Sequence, residues 1–332
     1  MRHSRVLRVF VLVAVGFFLA ASRGDAQDRL IVAYSTNSEA QVPLWVSKES
    51  GAFARNGLDV ELVFIEGGSR TIQAMLGGDV SLALTGGPEI VQAVVKGASI
   101  VAVGATLHTY PYVIVGLPGI TRPDQLKGKK IAVSRFGSSS HFATLQALER
   151  WGLLSGKDVT ILQIGNTPAR FGALTAGTVD AAIMSVGGQT LKARKSGFTL
   201  LGDLNSLGVE YLGNAIVVNR QFLTARRDVV RRFMKGFVEG IHFLKTRKDE
   251  SKAIIGKYLR TSDPEVLEEG YEQYAVKLVP KKPYPNPKGV AMILREIAES
   301  EPSAREARPE QFVDPSIVKE LDESGYIDSL YK

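Results

Sequence analysis

The chain predicts an α/β fold made of two similar lobes, and three observations carry that expectation. First, "GLDVELVFIEGGSRTIQAMLGGDVSLALT", from Gly57 to Thr85, returns ninety-nine residues later as "GKDVTILQIGNTPARFGALTAGTVDAAIM", from Gly156 to Met184. Extended back to Val32 and Ile131, ten of fifty-four aligned positions are identical, where average composition alone gives about three or four. Second, each copy has the same apolar pattern: a strand (LIVAY; KIAVS), an amphipathic helix, a strand (VELVFI; VTILQI), a second helix and a third strand (SLALT; DAAIM). Strands alternating with helices at this spacing imply parallel pairing within each unit. Third, the chain of 332 residues has no cysteine, so an exported form must rest on a full apolar core rather than on disulfides.

Export is the expectation from the first 26 residues. Arg2, Arg5 and Arg8 form a basic start, Val9 to Ala21 an apolar run, and Gly24 and Ala26 fit the −3 and −1 places of a cleavage site. The run is too short for a spanning helix of about twenty residues. Cleavage is expected after Ala26, with Ser22 as second choice, leaving a periplasmic protein. Over the whole chain 41 basic residues face 34 acidic ones; without residues 1–26 the balance is 37 to 33, or +4. That charge is spread along the chain rather than gathered on one face, which argues against nucleic acid as a partner. The densest basic run, "TARRDVVRR", alternates with apolar positions at helical spacing and reads as the wet side of a helix.

The expected domain limits are a leader over 1–26, the first lobe over 27–112, the second over 113–215, and a return to the first over 216–332 with a helical tail. "IVAVGATLHTYPYVIVGL" and "GNAIVVN" supply strand-like segments outside the repeat and serve as the crossovers, with Tyr112 and Ala215 as hinges. In the tail, Val230, Phe233, Met234, Phe237, Ile241 and Leu244 form one helical stripe. Asp263 followed by Pro264 reads as an N-cap and first helical position, and Gly325 as a helix stop.

In open parallel sheets, ligands lie beyond the carboxyl ends of the strands, against helix N-termini. Those ends carry Ser35, Asn37, Ser38, Gly68, Ser69, Thr85, Gly86 and Gly87 in the first copy. The second copy carries Arg135, Gly137, Ser138, Ser139, Arg170 and Ser185. Glycine lets backbone N–H groups approach a small polar or anionic ligand, and hydroxyls add short donors. Arg70, Arg135 and Arg170 are candidates to pair with an oxyanion through the guanidinium fork. Glu89 has two readings: it complements the dipole of its own helix, or it points into the cleft and favours an amine or ring N–H. Tyr34, Tyr110, Tyr112, Phe136 and His141 are either packing residues or walls for an apolar body.

The segments "PLWVSKESGAFARNGLDVELVFIEGGSRTIQAMLGGDVSLALTGG", "GVEYLGNAIVVNRQFL" and "SGYIDSLY" make the chain similar to the solute-binding proteins of bacterial ABC importers of the nitrate, sulfonate and taurine kind. Those proteins share a fold with thiamine-pyrimidine synthases. The resemblance implies the two-lobe periplasmic-binding-protein fold of type II, with βαβαβ-type sheets, flanking helices and two crossover strands as hinge. It further implies a monomer that closes on one small sulfonate, carboxylate or nitrate and hands it to an ABC permease at the inner membrane. A receptor feeding a sensor protein and a pyrimidine binder remain alternatives.

An enzyme is not expected. The synthase relatives carry a cysteine-rich motif, and this chain has no cysteine. "GSSSH" lacks the Gly-x-Ser-x-Gly spacing of a nucleophile elbow, and "SGKD" lacks the flanks of a phosphate loop. His108, His141 and His242 are far apart without paired-ligand spacing, so neither a metal site nor a cofactor is expected. The leader makes one testable claim. Mass spectrometry of periplasmic protein should find Gln27, or Arg23, at the N-terminus; an intact Met1 on membrane-bound protein would contradict it.

Overall fold

The computed structural model describes residues 27–332, and the leader reading of residues 1–26 lies outside the described residues. Two five-stranded sheets form the two lobes. The first contains β1 (Asp28–Tyr34), β2 (Leu58–Phe64), β3 (Leu82–Thr85), β4 (Ile100–Leu107) and β10 (Asn214–Asn219), in the order β2-β1-β3-β10-β4. The second contains β5 (Tyr112–Gly116), β6 (Lys129–Val133), β7 (Val159–Gln163), β8 (Ala181–Ser185) and β9 (Thr199–Asp203), in the order β7-β6-β8-β5-β9. Position for position the two orders are the same, as a duplicated unit requires.

In each sheet the three repeat strands are parallel, and the fourth is antiparallel to its neighbours. The sheets are therefore mixed. The reason is the crossing. A strand that follows a direct passage from the other lobe enters its sheet running the opposite way, and both β5 and β10 do so. The passages themselves are loops, residues 108–111 and 204–213, rather than strands. Tyr112 consequently opens a strand of the second sheet, and Ala215 lies inside a strand of the first. The passages touch through Tyr110 and Tyr211, whose rings stack at 3.7 Å between centroids. Both phenols donate to the Glu296 carboxylate, which burial pushes up to about 7.

Helices α1 (Val42–Glu49), α2 (Gly68–Gly77) and α3 (Gly87–Val95) belong to the first lobe. Helices α4 (Ser139–Arg150), α5 (Thr167–Thr175) and α6 (Gly188–Lys195) belong to the second. After β10 come α7 (Arg227–Thr246), α8 (Lys248–Leu259), α9 (Pro264–Tyr271), α10 (Pro287–Ile297) and α11 (Ser316–Glu323). The apolar stripe of α7 is buried completely, with Val230, Phe233, Met234, Phe237, Ile241 and Leu244 all at 0 % exposure. Asp263 caps α9 by accepting from the N–H groups of Glu265 and Val266, as its place before Pro264 leads one to expect. Not all of the tail stays on the first lobe: α9 lies against α6 of the second, where a Cβ on Gly188 would sit 2.6 Å from Val266 Cγ1.

The stripe of α7 is seated by two glycines one turn apart. A Cβ on Gly236 would sit 2.9 Å from Phe53 Cδ1, and one on Gly240 would sit 2.6 Å from Ser47 Cα. The backbone of α7 thus approaches α1 to a distance that no side chain permits. Replacing Gly240 by Ala should gain up to ~1 kcal/mol of helix propensity and lose about 1–3 kcal/mol to overpacking. The urea midpoint of Gly240→Ala should therefore fall; an unchanged or higher midpoint would show that the two helices can part without cost.

Candidate functional site

The carboxyl ends of the parallel strands of both sheets face each other, and a cavity of about 40 Å³ lies between them. The first lobe lines it with Ser35 and Thr36 beyond β1, Gln41, Gly67 and Gly68 at the start of α2, and Gly86 and Glu89 around the start of α3. The second lobe contributes Tyr112, Ser134, Ser139, Ser140, Asn166, Arg170 and Ser185. Pro111, Gly213 and Asn214 close it from the passages.

Three carboxylates of the first lobe reach across and meet the N-termini of three helices of the second. Glu89 accepts from the N–H of Ser139 at 2.9 Å and from its hydroxyl at 2.7 Å, at the start of α4. Glu66 accepts from the N–H and the side-chain amide of Asn166 at 3.4 and 3.1 Å, at the start of α5, and from Arg135 at 3.2 Å. Glu39 accepts from the N–H of Gly188 at 3.0 Å, at the start of α6. Free N–H groups and the helix dipole make each of these termini an anion seat. Here the protein supplies the anions itself.

The glycines around the cavity have a matching cause. A Cβ on Gly68 would sit 2.5 Å from Glu89 Cδ, and one on Gly86 would sit 2.5 Å from Glu89 Oε2. A Cβ on Gly165 would sit 3.1 Å from both Glu66 oxygens, and one on Gly188 would sit 2.9 Å from Glu39 Oε1. Gly187 adds a backbone requirement, with φ 105° and ψ −145°, a region open only to glycine. These close approaches accommodate carboxylates of the chain, whereas the sequence pattern points to a ligand.

Burial sets the charge states. Glu39 is at 0 % exposure and its carboxyl is pushed up to about 7, because its backbone donors only partly offset lost hydration and Glu269 adds repulsion. Burial also raises Glu89, against the two bonds from Ser139. Arg170 is 2 % exposed, and burial lowers its guanidinium to about 10. It donates to Ile183 O at 2.6 Å, Gly165 O at 2.5 Å and Thr167 Oγ1 at 3.0 Å. All three partners are neutral, and two of its five donors make no bond to the described residues, on a side chain that lines the cavity. Gln41, 1 % exposed, has no partner for either amide atom.

Of the residues expected at the site, Ser35, Gly68, Gly86, Ser139, Arg170 and Ser185 line the cavity. The others stand elsewhere. Ser138 turns back to donate to Arg135 O at 2.7 Å, and Arg135 pairs with Glu66 rather than facing the cavity. Ser69 and Gly137 line a separate groove beside α2 and α3. Thr85 and Ser38 are buried with unpartnered hydroxyls outside the cavity wall, Gly87 packs on Leu212, and Asn37 is half-buried beside Ser38. Arg70 is exposed. Gln41, before the start of α1, and Asn214, at the start of β10, are among the lining residues that the sequence did not flag, with Ser134 and Ser140; an isolated amide or hydroxyl at such a place carries no local signal.

Glu39 generates a pH prediction. Its carboxyl rises from an ordinary 4.5 to about 7 on folding, so between those values the folded chain holds a proton that the unfolded chain has lost. The stabilisation is present below about 4.5 and is lost as pH rises through about 7. Glu39→Gln should remove this loss, on the order of 3 kcal/mol. Urea titrations at pH 5 and pH 8 should show a smaller difference for the variant than for the wild type; equal differences would mean that Glu39 does not titrate in this window.

A family model described as NMT1/THI5 like matches residues 39–251. The taurine-binding periplasmic protein of Escherichia coli is 28 % identical over 63 % of this chain and 64 % of that protein. A putative binding protein, YtlA, of Bacillus subtilis is 22 % identical over 80 % of both. Among solved structures, a Bordetella bronchiseptica protein superposes with a TM-score of 0.80 at 20 % identity, over 90 % of this chain and 98 % of that one. The periplasmic nitrate-binding protein NrtA of Synechocystis gives 0.75 at 13 % identity, over 89 % and 88 %. The aliphatic sulphonate-binding protein SsuA of Escherichia coli gives 0.67 at 20 %, over 88 % and 99 %. These likenesses carry the two-lobe binding-protein fold, and with the match across residues 39–251 the chain belongs to the NMT1/THI5-like family.

Proposed function

We propose that the chain is the exported solute-binding component of an ABC importer. It captures a small solute bearing an acid group, of the sulfonate, carboxylate or nitrate kind, between its lobes and delivers it to a permease at the inner membrane. The observation that carries this reading is the buried, polar cavity lined from both lobes and holding Arg170, a guanidinium whose structural partners are all neutral. Ser35, Gly68 and Gly86 grip from one side and Ser139, Arg170 and Ser185 from the other. The names of the relatives support the same role. So does the finding that, among the described residues, no helix is long and apolar enough to cross a membrane.

The remaining parts of the reading follow from the sequence. Residues 1–26 are an export leader cleaved after Ala26, the mature chain acts as a monomer, and it performs no reaction. The two bodies that move follow the expected limits of 27–112, 113–215 and 216–332, shifted to the passages at 108–111 and 204–213, which bend between them. A clamp gains affinity when both halves engage, so closure and binding are coupled.

A thermal-shift panel of sulfonates, carboxylates and nitrate tests this. A ligand at one hundred times its Kd adds about 2.7 kcal/mol to the folded state, so at least one compound should raise the Tm in a dose-dependent way. Calorimetry should then give one site per chain. A panel without a single dose-dependent shift would remove the acid-solute reading.

A further inference from the structure

Two buried groups of opposite charge face the same cavity without pairing with each other. Glu89, 5 % exposed, has both oxygens turned to Ser139. Arg170, 2 % exposed, is bound only to two carbonyls and a hydroxyl, with no carboxylate at ion-pair distance among the described residues. A buried charge is costly unless something of opposite sign completes it. A ligand that carries one sign satisfies one group and opposes the other.

The geometry makes Glu89 hard to bypass. Its carboxylate is seated on Gly68 and Gly86, where any Cβ would collide with it, and it fills the N-terminus of α4, the seat that an incoming oxyanion would otherwise take. Two of its four lone-pair positions are used by Ser139, which leaves acceptor capacity on a residue that lines the cavity. In the same cavity the Gln41 amide, 1 % exposed, holds an unpartnered donor and an unpartnered acceptor. The cavity therefore has unmet acceptors as well as unmet donors, and a bare oxyanion can answer only the donors.

We propose that Glu89 is a specificity-determining residue that accepts from an N–H group of the solute, an ammonium above all, while Arg170 holds the acid group, so the ligand is dipolar rather than a bare oxyanion. Gln41 serves either end. This rests on the reading of the chain as a binder of acid solutes.

Matched probes test it by calorimetry: ethanesulfonate against 2-aminoethanesulfonate, and propanoate against 3-aminopropanoate. They are measured on the wild type, on Glu89→Gln and on Glu66→Gln, whose carboxylate also bridges the lobes but does not line the cavity. In the wild type the amino member of at least one pair should bind about ten- to a hundredfold more tightly, the worth of one charge-assisted bond. Glu89→Gln should erase that preference, while Glu66→Gln should weaken both members of a pair together and keep their ratio. A plain acid that binds the wild type as tightly as its amino partner, or a preference that survives in folded Glu89→Gln, overturns the proposal and leaves the solute-binding reading standing. No heat from either amino probe, while another acid of the thermal-shift panel binds, also overturns the proposal; no binding by any compound of that panel overturns the acid-solute reading beneath it. If Glu89→Gln does not fold, as judged by its melting curve, the wild-type ratios alone decide.

Discussion

The structure depends on the contact between three acidic side chains and three helix N-termini. Glu39, Glu66 and Glu89 follow β1, β2 and β3 of the first lobe, and they meet the helices that follow β8, β7 and β6 of the second. Because β1 corresponds to β6 and β3 to β8 in the repeat, each contact has a reciprocal one: the end of the first strand meets the end of the third, and the middle pair meets itself. That is the pattern produced by a twofold axis between like surfaces. The duplication accounts for more than two similar lobes. It aligns strand ends and helix starts so that one set of loops can dock on the other.

The docking changes the energetics of the cavity. A helix N-terminus buried without a partner leaves orphan N–H groups, and a carboxylate buried without one loses hydration. Placed together, each offsets the other, and glycines 68, 86, 165 and 188 remove the side chains that would hold them apart. The three contacts are not equivalent. Glu66 is half-buried and shares Arg135, so water and a counter-charge steady it. Glu39 and Glu89 are enclosed, and burial raises both carboxyls. These contacts belong to the docked lobes, and what a solute adds to docking is measured against them. A solute favours the docked arrangement only by the difference between its affinities for the docked and the open lobes, not by the sum of the bonds it makes in one.

Much of the fold is legible in the sequence, since strand patterning, the ninety-nine-residue offset and the Asp263 cap are local signals. The helix over 139–150 and the strand over 159–163 fall where copies of 42–49 and 58–64 place them. The passages were harder, because a run such as "VGATLHTYPYVIV" shows two strands but not which sheet each one joins. The site was legible in part. Glycine at a strand end announces that something approaches closely, but it does not say what. For Gly68 the approaching group is Glu89, for Gly86 it is Ser139 together with Glu89, and for Gly188 it is Val266 together with Glu39 from 149 residues away. Local rules place an acid in a first helical turn with its own dipole; only the docked lobes reveal that Glu89 serves a different helix. Arg170 illustrates the same gap, because its partners Ile183 O and Gly165 O depend on how α5 lies over β8.

The register of the repeat explains why the cavity is polar in a directed way. Glu39 stands ninety-nine residues before Ser138, Glu66 before Gly165, and Glu89 before Gly188. In each pair the first lobe carries an acid where the second carries a small residue beside a helix start. A symmetric choice would fail in either direction. Acids in both lobes would bring six carboxylates together, and small residues in both would leave six helix starts without partners. One lobe therefore keeps the carboxylates and the other the bare N-termini, and the axis that relates the backbones does not relate the charges. Arg170 sits on the lobe without the acids, and Glu89 on the lobe that bears them. The field across the cavity is the residue of that division: the Glu89 side chain enters from the first lobe, and the Arg170 guanidinium and a helix N-terminus from the second. A solute with a dipole of its own lies along that field, whereas one with a single charge is attracted by one wall and opposed by the other.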